Sequence, residues 1–114
     1  MPPKKYSHIN FKPTESVANA ARSALQLRRQ QPPSRRGGTA VGVARARQLA
    51  NRQQVSPSTA KRMKAYFDRH EVDKKAEGFK RGEKGYPSKG KQAWELWGGD
   101  AGYGWAKKLV RQLN

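Results

Sequence analysis

The stretch LANRQQVSPSTAKRM, Leu49 to Met63, decides how this chain is read. Ser56 can cap a helix by accepting an N–H of the following turn, and Pro57 suits the first helical position, where its missing N–H has no partner to lose. A helix therefore begins at Pro57. Along it Ala60, Met63 and Phe67 share one face, with Tyr66 at the edge, while Ser58, Arg62, Ala65 and Arg69 share the other beside Lys61. Upstream, TAVGVARARQLANRQ takes Thr39 as its cap and places Val43, Ala46, Leu49 and Ala50 on one side. Small Ala50 lets two helices cross closely, Val55 fills the angle between them and staples onto Ala60, and Met63 packs back. Two readings follow: a helix-turn-helix that docks on DNA, or two bundle helices joined by a capped turn.

Working outward, Thr14 caps a first helix with Glu15 in its first turn, and Val17, Ala20, Ala21, Ala24 and Leu27 recur at helical spacing to about Gln30. QQPPSRRGG then breaks the helix and puts Arg35 and Arg36 on an exposed loop. After the helix that starts at Pro57, EVDKKAEGFKRGEKGYP (71–87) is polar and glycine-bearing and reads as a long mobile connection. Ser88 caps a short fourth helix with Ala93, Trp94 and Trp97, ended by Gly98-Gly99, and Asp100 caps a fifth with Trp105, Leu109 and Leu113. All three tryptophans fall in the last quarter and should supply much of the core. The expected fold is all-α: four to five short helices over residues 14–114 as one domain, preceded by an extended basic arm, 1–13. Prolines and isolated Tyr6, Ile9 and Phe11 suggest that the arm is disordered alone or laid on a partner.

At 114 residues there is room for one small core. Twenty-five Lys and Arg against eight Asp and Glu give a formal charge of +17, which repels itself unless a polyanion neutralises it. Up to Gln53 there are eleven cations and a single acid, Glu15. The absence of cysteine removes disulfides and thiolate metal sites, and two histidines, His8 and His70, are too few for a structural zinc. No apolar run can span a bilayer and no secretory signal is visible, so the expectation is the cytoplasm that makes the chain.

Motifs that suggest enzymes fail on their chemistry. GYPSKGKQ (85–92) follows the phosphate-binding-loop pattern as far as Lys91, but Gln92 stands where a hydroxyl should hold magnesium and no apolar strand precedes it. HEVD (70–73) lacks a second histidine four residues on, where Lys74 stands, and no serine or threonine has a credible base. The glycines of GGDAGYG read as tight turns around tryptophans. No catalytic residue, metal or cofactor is assigned.

Two resemblances bear on function. VSPSTAKRM resembles the turn and recognition-helix start of bacterial repressors of the lactose-repressor type, departing at Gln53 and at Gln54, where a glycine is usual. Over residues 14–113 the run RGGTAVGVARARQLANRQQVSPSTAKRMKAYFDRHEVDKK, with GYPSKGKQAWELWGGDAGYGWAKK, resembles a small domain of tailed phages and prophages to which no activity is attached. It implies a phage setting, with the host-cell cytoplasm or, for a structural protein, the virion as the location, and carries over no functional residue. The expected function is non-enzymatic nucleic-acid binding, on duplex DNA, mainly through phosphate contacts with a helix-turn-helix-like docking piece. The candidate contacts are Arg35, Arg36, Arg45, Arg47, Arg52, Ser58, Lys61, Arg62 and Arg69. The rival readings are a virion protein touching capsid or neck subunits, and a host-takeover protein on an acidic host surface.

Overall fold

A computed structural model describes residues 8–114 as five α-helices joined by short 3-10 segments and turns, with no strand among the described residues. The helices are α1 (Glu15–Arg29), α2 (Ala40–Ala50), α3 (Pro57–His70), α4 (Lys89–Leu96) and α5 (Gly99–Leu113). The start signals read from the sequence operate at four of them. Thr14, Thr39, Ser56 and Ser88 each accept a backbone N–H three residues on, from Val17, Gly42, Thr59 and Lys91, at 3.0–3.3 Å. The fifth start differs. Gly98, with φ of 110°, is the residue before α5, and Asp100 instead accepts the Trp94 indole N–H at 3.0 Å and Lys74 at 2.9 Å. A side chain at Gly98 or Gly102 would press on backbone at the α4–α5 junction, which explains two of the glycines there.

α1 lies against α2, α4 and α5, and α3 lies against α5. An aromatic cluster fills the space between them: Phe67 meets Trp94 edge-on at 4.7 Å and stacks on Tyr103 at 5.0 Å, and Tyr66 stacks on Trp97 at 4.7 Å. Val17, Leu49, Met63, Leu96 and Leu109 complete the core with buried alanines on α1 and α2, whose small side chains let those helices approach closely. No helix among the described residues is long and apolar enough to cross a membrane.

Two segments depart from their expected roles. Residues 8–13 are non-helical, as an arm would be, but Ile9, Phe11 and Pro13 are buried in this chain's own core. The Phe11 carbonyl accepts the Val55 N–H at 3.1 Å and the Pro13 carbonyl accepts Arg52 Nε at 2.9 Å, so this strap is stitched to the α2–α3 link. The rest of the expected arm, with Tyr6, lies outside the described residues. Residues 71–87, expected to be a mobile connection, form a 3-10 turn (Glu71–Lys75) and further turns pinned by buried Phe79 against Trp94 and closed by the Ser88 N–H on the Gly78 carbonyl at 2.9 Å.

Candidate nucleic-acid interface

α2 and α3 are the two helices whose relation the opening stretch left undecided. Their link, from the α2 cap Asn51 to the α3 cap Ser56, is six residues long, and a helix-turn-helix turn holds three or four. Its one left-handed residue is Arg52, φ 53°, two positions before Gln54. α2 packs chiefly on α1 and α3 chiefly on α5, so the two helices are braced by different partners rather than by each other. The link is that of a bundle with a capped turn.

The nine candidate contacts, eight cations and Ser58, separate into structural and free groups. Arg52 is half-buried, donating Nε to Pro13 and pairing through Nη1 with Glu15 at 3.2 Å. Arg45 is also half-buried: its guanidinium lies 5.7 Å from the Trp97 ring centre and donates to Gln48, its Nε is buried without a partner, and burial, then the nearby charge of Arg62, lowers its pKa. These two hold the fold together rather than present themselves to a ligand. Arg36 is intermediate, donating Nε to the Gln31 carbonyl at 2.9 Å and Nη2 to the Arg29 carbonyl at 3.3 Å, with Nη1 left over. Arg35 and Arg47 are exposed, as are Ser58, Lys61, Arg62 and Arg69 on the outer face of α3, where Ser58 Oγ lies 3.1 Å from the capping Ser56 Oγ.

Three further arginines, not singled out from the sequence, join this surface. Arg22, Arg28 and Arg29 on α1 line a groove with Arg36 and with Arg47 of α2. Arg28 donates Nε to the Gly37 carbonyl at 2.8 Å, and Arg22 donates to Asn19 Oδ1 at 2.7 Å. The signal was present as matching spacing, Arg22-Leu25-Arg29 on one helix and Val43-Arg47 on the other, but which faces meet is a tertiary fact. Elsewhere among the described residues three lysines are matched by acids. Lys64 pairs with Asp68, Lys74 with Asp100 and Lys91 with Glu95, at 2.7–2.9 Å. The hydrogen bonds from Lys64 and Tyr103 lower the Asp68 pKa. At Asp100 burial acts to raise it, but is outweighed by the hydrogen bonds from Lys74 and Trp94.

His70 Nδ1 lies 3.2 Å from Asp73 on a half-exposed helix end, and no group of three metal-ligating side chains occurs among the described residues. Gln92, the residue at the magnesium position of the loop-like motif, is fully buried and bonds backbone instead: Oε1 accepts the Gly37 N–H at 2.8 Å, and Nε2 donates to Arg35 at 2.9 Å and Pro87 at 3.1 Å. Comparison of the chain with protein-family models, curated proteins and solved structures finds no match.

Proposed function

We propose that this protein binds nucleic acid without catalysis, by neutralising backbone phosphates. One observation carries the reading. From Ser16 to Phe67 the chain holds eleven Lys and Arg and not one Asp or Glu. Only two of these cations, Arg52 and Lys64, are ion-paired among the described residues, through acids just outside that segment. Nine like charges on one small domain repel each other unless an external anion lies among them, and a phosphodiester backbone supplies anions at matching density. Duplex is favoured over single strand because the exposed large hydrophobics among the described residues are two valines, Val41 and Val72, and binders of unpaired bases present aromatic platforms.

The setting proposed is that of a phage gene product, on the sequence resemblance alone. Within it, a nucleic-acid-associated protein fits better than a virion component docked through its arm, since Ile9 and Phe11 are occupied inside this domain. A salt titration with two unrelated duplexes tests the function. Contact with roughly 5 to 8 phosphates gives a slope of log affinity on log salt of about −4 to −7. A flat response rejects the mechanism, and a strong preference for one duplex would reveal base readout instead of phosphate contact.

A further inference from the structure

We infer that the groove between α1 and α2, not the outer face of α3, is where the DNA backbone sits. This rests on the nucleic-acid reading above and names its site. The groove is open, about 290 Å³, ringed by five arginines and lined by no acid. Leu25 and Val43 lie among them, giving the arginine stems an apolar surface to lie on while the charged ends face water.

What distinguishes this cluster from an ordinary solvated basic face is that its geometry is set before any ligand arrives. Arg28 and Arg36 each give Nε to a backbone carbonyl, at 2.8 and 2.9 Å, which fixes the plane of the guanidinium and leaves terminal N–H groups available. Those carbonyls belong to the loop between α1 and α2, and the loop is held from the far side of the sequence. Gln92 of α4 grips the Gly37 N–H and the Arg35 carbonyl, while Gly37 comes so close to Lys89 that a Cβ would overlap the Lys89 carbonyl oxygen. A fixed guanidinium loses less side-chain freedom on meeting a phosphate than a free one does. Arg29 and Arg47, exposed on opposite walls, supply unanchored charge. The lining is arginine and apolar side chains alone, and forks of N–H donors held by backbone carbonyls match the paired oxygens of a phosphodiester, so the ligand assigned to the groove is the DNA backbone.

Three charge-matched double variants of the full chain test this by fluorescence anisotropy on a labelled duplex across a salt series, with circular dichroism to check that each folds. Arg29→Ala with Arg47→Ala removes one exposed groove cation from each wall. Lys61→Ala with Arg62→Ala does the same on α3, and Lys108→Ala with Arg111→Ala on α5. The groove pair should weaken binding by at least about tenfold at low salt and make the salt slope shallower by about two units, with much smaller changes for the other two pairs. An α3 or α5 pair that loses as much as the groove pair overturns the assignment while leaving the nucleic-acid reading standing. Failure of the unmodified protein to bind any duplex removes both.

Discussion

Gln92→Ala would remove in one step the brace between α4 and the arginine-bearing loop. Wild-type Gln92 is fully buried, and its amide serves three backbone groups: Gly37 N–H, the Pro87 carbonyl and the Arg35 carbonyl. The first two bonds are buried and the third partly so. A buried group stripped of its partner costs about 1–3 kcal/mol, whereas a partly exposed carbonyl recovers most of its loss from water, so the alanine variant should lose about 3–5 kcal/mol. That is a large share of the ~5–15 kcal/mol typical of a small domain, and corresponds to a drop in Tm on the order of 10–20 °C. Gln92→Leu fills the space but leaves the same three groups unpaired, and should lose about as much. Gln92→Glu keeps an acceptor for Gly37 but turns a carboxylate oxygen toward two carbonyls. Burial raises its pKa above the unfolded value near ~4.3, so this variant is closest to wild type in acid and loses stability as the pH rises through the raised value. Urea unfolding of the three variants at two pH values measures all of this. Alanine and leucine variants both within about 1 kcal/mol of wild type would show that water satisfies these groups, and the brace would have to be abandoned.

Phe11→Ala should cost about 3–5 kcal/mol in the same assay, because the ring is buried; a loss below about 1 kcal/mol would return residues 8–13 to the status of an arm. Gly37→Ala places a methyl against the Lys89 backbone and should destabilise by about 1–3 kcal/mol; an unchanged Tm would show that the loop moves away freely. Arg28→Lys keeps the charge but cannot reproduce the Nε bond to Gly37, so duplex affinity should fall a few-fold at unchanged salt slope, and equal affinity would mean that the tether is irrelevant to binding. The hydrogen bond to Asp68 holds the Tyr103 phenol up at about 12, against an ordinary value of 10. Its contribution to stability is therefore full below pH 10 and lost as the pH rises toward 12, and it is small because the pair is exposed. Tyr103→Phe should abolish that alkaline loss and let the Asp68 carboxyl drift part of the way up toward its ordinary range, which carboxyl NMR reads directly.

What the sequence made legible was local. Ser and Thr before an apolar-periodic run located four helix starts, and the 3.6-residue period put Ala60, Met63 and Phe67 inside and Arg62 and Arg69 outside. What it hid was long-range. Phe11 and Phe79 are single aromatics in polar surroundings, and only the hollow they enter, built from residues far along the chain, makes them core. Asp100 had the spacing of a cap but found a stronger partner in the Trp94 indole. Arg36, Arg45 and Arg52 looked like surface charge, yet each has a guanidinium committed to neighbours that no local pattern announces. The groove followed the same rule: each helix carried a visible arginine stripe, and their convergence needed the fold.

The strap has a further consequence for the order in which the molecule can be made. Its residues leave the ribosome before the helices they pack against, yet the amide that donates to the Phe11 carbonyl belongs to Val55, and two of the tryptophans that roof the core, Trp94 and Trp105, emerge only with α4 and α5. Local contacts within α1 can form early, but the loop that brings Phe11 to Val55 closes against chain entropy and gains its packing only when the distal helices arrive. Until α4 and α5 emerge the nascent chain is thus a strongly cationic, unroofed polymer, and a product cut short before α5 would be a loose polycation with no roof over Phe11.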